Sequence, residues 1–131
     1  MDEFKVLIDD KYYKFNLKTF RQYFSGIVDK KNIVFSNNKI VFPIKLENIF
    51  GNKNFVYLTI NDIIDYNIET NGEIDNIHIK FGVTNKSIYV YAISREIADL
   101  MDYELRIKIN SIDIEIKTNL IENMVHEFNS L

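Results

Sequence analysis

Apolar and polar residues alternate with a period of two along most of this chain, and pairs of turn-forming residues break the alternation. That pattern predicts strands with one face turned to a core. Placing Asn110-Ser111 at a hairpin tip pairs Ile109 with Ile112, Ile107 with Ile114 and Leu105 with Ile116. The opposite face then pairs Lys108 with Asp113, Arg106 with Glu115 and Glu104 with Lys117. One face is wholly aliphatic and the other charge-matched, so a hairpin over Tyr103–Lys117 is expected.

The same arithmetic yields further hairpins. Around Asp10-Lys11, Ile8 faces Tyr13, Val6 faces Phe15 and Phe4 faces Leu17. Around Asn37-Asn38, Phe35 faces Ile40, Val34 faces Val41 and Ile33 faces Phe42. Asparagine tolerates positive φ, which suits a tight turn. Around Asn85-Lys86, Val83 faces Ile88, Phe81 faces Val90 and Ile79 faces Ala92, while Gly82, Lys80 and His78 meet Tyr89, Tyr91 and Ile93 on the other side. Phe55–Ile60 reads as a strand from its aromatic and β-branched content. For residues 61–70 the preferred reading is a helical turn capped by Asn61-Asp62 and then a strand. The competing reading is a strand in which Ile64, Tyr66 and Ile68 face Phe81, Ile79 and Ile77, with Asp65 meeting Lys80.

Three segments carry helical spacing. Leu17, Phe20, Phe24 and Ile27 share a face, with Asn16 as N-cap and Gly26 as stop. Ser94 is placed to cap a short helix with Ile97, Leu100 and Met101 inside. Leu120, Ile121, Met124, Val125 and Phe128 form a C-terminal apolar stripe. The expected fold is therefore a single α+β domain over residues 1–131. It has a mainly antiparallel curved sheet or half-barrel of successive hairpins, and two or three short helices including a C-terminal amphipathic one.

Composition narrows the chemistry. The chain has 131 residues and no cysteine, so disulfides, thiolate metal sites and thiol nucleophiles are excluded. No run of about 18 apolar residues exists, and the acidic and basic residues near the N-terminus interrupt any export signal. Ile (22), Asn (16) and Lys (13) are abundant, which points to an AT-rich coding sequence. The net charge of −3 is uneven: residues 61–78 hold five acidic side chains and no basic ones. A pI near 5.4 and three arginines argue against binding duplex nucleic acid through its phosphates.

No catalytic constellation emerges. His78 lies between Ile77 and Ile79, and His126 follows Glu122 by one helical turn with no third ligand nominated. Asp113 and Glu115 each find a cation in the expected hairpin. The glycines Gly26, Gly51, Gly72 and Gly82 are too far apart for a phosphate loop. Catalytic, cofactor and metal residues are therefore expected to be none, and no segment matches a known family's motif.

Two surfaces remain as interface candidates. His78, Lys80, Tyr89, Tyr91 and Ile93 share the outer face of the expected 79–92 hairpin, an aromatic patch with a basic fringe. The acidic group is Asp62, Asp65, Glu69, Glu73 and Asp75. The expectation is a small cytoplasmic, non-enzymatic protein-binding module that docks on a partner protein, free or within a nucleoprotein complex. Its class would be an inhibitor or immunity-type protein from an AT-rich bacterium, phage or mobile element, anti-defence in the manner of anti-CRISPR proteins. The alternatives are a binder of RNA or single strands, and a structural or assembly subunit of a phage or mobile element. No membrane partner is expected, and the oligomeric state stays open.

Overall fold

The computed structural model describes residues 3–46, 55–70, 75–93 and 101–118, with the side chains of Ile93 and Met101 excepted. The elements in chain order are β1 (Phe4–Ile8), β2 (Lys11–Phe15), α1 (Leu17–Phe24), β3 (Gly26–Asp29), a 3-10 turn (Lys30–Asn32), β4 (Val34–Phe35) and β5 (Ile40–Leu46). There follow β6 (Phe55–Ile60), β7 (Ile63–Thr70), β8 (Asn76–Val83), β9 (Ser87–Ile93), β10 (Met101–Ile109) and β11 (Ile114–Lys117). They form one sheet in the order β2-β1-β11-β6-β5-β3-β8-β9-β10-β7, with β4 beside β5.

This corrects the expected α+β architecture. The fold is mostly β, a mixed eleven-stranded sheet with one α-helix among the described residues. The Ser94 helix and the C-terminal helix lie outside the described residues.

The expected Tyr103–Lys117 hairpin does not form. β10 pairs with β9 and β7, whereas β11 pairs antiparallel with β6 and parallel with β1. Parity explains the error. Ile107, Ile109, Ile114 and Ile116 are all buried, as an alternating pattern demands. An alternating strand satisfies that demand beside any neighbour of matching pattern, so alternation fixes the face and leaves the partner open.

Two short links force the sheet to curl on itself. Only Asn61 and Asp62 separate β6 from β7, yet those strands stand six places apart in the sheet order. Residues 110–113 make the same jump from β10 to β11. The two crossings are bonded together. Asn61 N–H donates to Asp113 O at 2.8 Å and Asn110 N–H to Asp62 O at 3.2 Å. The Asp62 carboxylate accepts from Asn110 Nδ2 at 3.1 Å and Ser111 Oγ at 2.9 Å. Asp62 takes φ 55°, a left-handed conformation that Asp tolerates better than most residues. It therefore makes the crossing turn, not the helical turn expected for 61–70. β7 is a strand, as in the competing reading, but it pairs with β10 and sets Asp65 opposite Lys108.

Other expectations survive in part. The 34–41 and 80–91 pairings have the expected registers. In α1, Asn16 Oδ1 accepts from Thr19 N–H at 2.8 Å, so the N-cap is as read. The helix stops at Ser25, however, and Ile27 belongs to β3. The β1–β2 register is shifted by two residues, pairing Val6 with Tyr13 and Phe4 with Phe15. The tip is Asp9-Asp10, both at positive φ (45° and 72°), a two-residue turn matched to strand twist.

The core lies between the two limbs of the curled sheet. α1 contributes Phe20 and Phe24, whose rings pack 5.1 Å apart, and Phe20 meets Phe4 at 5.3 Å. No polar or charged residue is buried among those described, so no ionised group in this core needs a compensating partner.

Tyr103 adds a pH dependence. It stands on the inner face of β10 at 3% exposure, and burial pushes its phenol up to about 12. An unfolded tyrosine titrates near ~10. Between those values the unfolded chain has lost the proton while the folded chain keeps it. Stability is thus complete below about pH 10 and falls as pH rises to about 12, by roughly 2–3 kcal/mol. Urea melts across that window should show the decline, and Tyr103→Phe should flatten it. An equally steep decline in the variant would assign alkaline loss to other groups.

Candidate functional site

The outer face of strands β8, β9, β10 and β7 brings tyrosine, lysine, arginine and carboxylate side chains together. Register sets it in rows. Lys80 stands opposite Tyr91, Tyr91 opposite Glu104, and Glu104 opposite Glu69. In the next row Gly82 faces Tyr89, Tyr89 faces Arg106, and Arg106 faces Asn67. A third row runs from Ser87 to Lys108 to Asp65. A depression of about 460 Å³ lies over the last two rows, lined by Tyr89, Lys86, Ser87, Arg106, Lys108 and Asp65 among others.

Local chemistry holds this face in place. Arg21 of α1 reaches across the rim, where its Nε donates to Phe81 O at 2.6 Å and its guanidinium stands 6.0 Å from the Tyr91 ring. A side chain at Gly82 would touch Tyr89 and the Arg21 guanidinium at ordinary contact distance. α1 therefore covers only part of the patch. Tyr91 is half-buried under Arg21, while Tyr89 and Lys80 remain exposed. Arg106 Nε donates to Glu104 Oε1 at 3.1 Å. The Glu104 hydrogen bond and charge, with Glu69 nearby, hold the Arg106 guanidinium above its usual pKa. It is a fixed cation beside an exposed tyrosine.

The sequence candidates divide. Lys80, Tyr89 and Tyr91 come together as read. His78 is half-buried and stands opposite Ile27 of β3, toward the other limb of the sheet. The Ile93 side chain lies outside the described residues. Sequence reading missed Arg21, Glu104, Arg106 and Lys108. The alternation allots the last three to a hairpin with β11, and only the true partner strand brings them beside Tyr89.

The acidic group does not form one cluster. Asp62 ties the crossings. Asp65 and Glu69 lie on the outer face of β7, exposed. The backbone oxygen of Asp75 accepts from Lys30 N–H at 2.8 Å. Glu73 lies outside the described residues. Among the described residues no group of three or more His, Asp or Glu is arranged to hold a metal ion. Asp113 and Glu115 also change partners: Asp113 accepts from Asn61 Nδ2 at 3.3 Å, and Glu115 pairs with Lys117 at 3.5 Å.

No helix among the described residues is long and apolar enough to cross a membrane. No protein-family model, curated protein or solved structure matches the chain.

Proposed function

We propose that this chain works by contact, without turnover, as a small protein-binding module of the inhibitor or immunity type. The observation that supports this reading is the row Tyr89–Arg106 with Tyr91 and Lys80 beside it, set on a paired sheet. Tyrosine and arginine dominate binding energy at protein interfaces. Here the strands beneath them are fixed by ladders on both sides, so little order has to be imposed on binding. A partner surface of mixed charge suits the alternation of Lys80, Arg106 and Lys108 with Glu104, Glu69 and Asp65.

The depression also motivates a second reading. A base could stack on Tyr89 with phosphates near Lys86 and Lys108. Asp65, Glu69 and Glu104 oppose a polyanion on the same face, which favours the protein partner.

Capture from a lysate of the source cell, quantified for wild type and for Tyr89→Ala with Arg106→Ala, tests the assignment. The double variant is expected to retain less than a tenth of the captured partner while melting as wild type does. Undiminished capture would remove this face from the function. A gel shift on single strands at low salt, lost in Tyr89→Ala, would move the assignment to nucleic acid.

A further inference from the structure

We propose that the open edge of β7 accepts an extended, basic strand from a partner protein, which adds one strand to the sheet. This rests on the reading of the chain as a binding module and supplies the chemistry of the partner segment. Among the described residues, β7 ends the ladder and pairs with β10 alone. Ile109 N–H donates to Lys86 O, which turns the odd-numbered backbone groups of β10 toward β9 and the even-numbered ones toward β7. The register then commits Asp65, Asn67 and Glu69 to the β10 ladder. Tyr66 and Ile68 are left with their N–H and C=O groups on the open edge. A separate observation agrees: Tyr66 N–H donates to the Asp65 carboxylate at 2.8 Å.

Side chains along this edge are partly exposed as well. Tyr66 and Ile68 stand opposite Ile107 and Leu105, which are buried, yet they stay 39% and 37% exposed. Ile64, at the bulge, is 51% exposed, and Val34, next to the Phe35 that meets Tyr66 across the seam, is 53% exposed. β4 meets this side through the Phe35 ring, stacked on Tyr66 at 5.0 Å. The far end of the seam is marked by Lys30 Nζ to Thr70 Oγ1 at 3.2 Å, and the near end by Ile63 N–H to Asn38 O at 3.2 Å. Between them an added strand would gain main-chain bonds and cover apolar surface, the two sources of affinity in strand addition.

Charge selects the occupant. β7 carries Asp65 and Glu69 and no lysine or arginine. The opposite edge strand, β2, carries Lys11 and Lys14, the usual protection against edge pairing. A second copy pairing antiparallel through β7 about Asn67 would set Asp65 against Glu69, and like charges directly opposite destabilise. A partner strand with lysine or arginine opposite Asp65 and Glu69, and β-branched apolar residues opposite Tyr66 and Ile68, meets both faces.

Amide hydrogen exchange of the full chain, followed by NMR, tests this with a capped peptide alternating lysine and valine. The control peptide has glutamate for lysine. The lysine peptide is expected to slow exchange at Tyr66 and Ile68 at least tenfold and to leave Asn67 and Glu69 unchanged. The glutamate peptide should do nothing, and added salt should weaken the effect. Ile68→Pro removes an N–H from the open edge without breaking the β10 ladder. It should abolish the protection at Tyr66. Equal protection by both peptides, no protection at saturating peptide, or concentration-dependent protection without peptide would each overturn the proposal, the last by making a second copy the occupant. If the peptide fails while Tyr89→Ala with Arg106→Ala still abolishes capture, strand addition falls and the docking face stands.

Discussion

Phe81→Ala is expected to lower stability by about 3–5 kcal/mol, enough to consume much of the margin of a domain this size. Phe81 sits on β8, the strand that joins the two limbs of the sheet. It has no exposed surface. Its ring meets Phe20 of α1 at 5.7 Å and Phe42 of β5 at 5.7 Å, both edge-on. Removing it leaves a void bounded by three elements that cannot all close inward, because Phe42 of β5 is laddered to β6, and Phe81 of β8 is laddered to β9 and bonded through its C=O to Arg21. The lost transfer energy and the unfilled space therefore add. Urea melts report the change as a lower midpoint at unchanged slope. Phe55→Ala is the control. Phe55 is 37% exposed and packs on Tyr57 at the surface, so its loss should cost under about 1 kcal/mol. Similar costs for the two variants would contradict a core centred on Phe81.

The legible part of the fold is the part set by neighbours in sequence. The β8–β9 register follows from a short turn between strands whose apolar residues sit at matching distances. Val83–Ile88 and Phe81–Val90 could therefore be paired by counting. Asn16 could be placed as a cap because its bond to Thr19 is local. Where pairing depends on distant chain, counting fails. The sequence 103–117 has the same alternation whether it folds as a hairpin or splits between limbs, and the deciding contacts come from Asp62, about fifty positions away. The binding face shows the same division. Tyr89, Tyr91 and Lys80 share one hairpin and are legible together, whereas Arg21 arrives from a helix and Arg106 from a strand whose partner is distant in sequence. The two-residue slip in β1–β2 has a conformational origin. Two consecutive aspartates accept positive φ at the tip, and this moves the turn one residue upstream of the pair chosen by counting.

Gly26→Ala is the second large effect, and its cause is space, not backbone freedom. Gly26 opens β3 directly after the Ser25 cap, and β3 threads between β5 and β8. A Cβ at this position would overlap the main-chain oxygen of Lys45 and lie 2.8 Å from Ile44 Cγ2 and 2.9 Å from the Lys45 carbonyl carbon. A flexible side chain could swing aside, but a backbone carbonyl in a ladder cannot. Lys45 is paired with Ile27 on one side and Phe55 on the other. Relief must come from moving β3 away from β5, whose shared register is short: Gly26–Leu46 and Ile27–Lys45. The expected cost is about 1–3 kcal/mol, a fall in Tm of roughly 5–15 °C. Gly82→Ala gives the comparison. There the nearest atoms stand 3.6–3.8 Å from the added Cβ, so the change should fall within about 0.5 kcal/mol. Calorimetry on the two variants separates the explanations. If Gly82→Ala were as damaging as Gly26→Ala, loss of glycine itself would be the cause, and the close approach of β5 to β3 would explain neither.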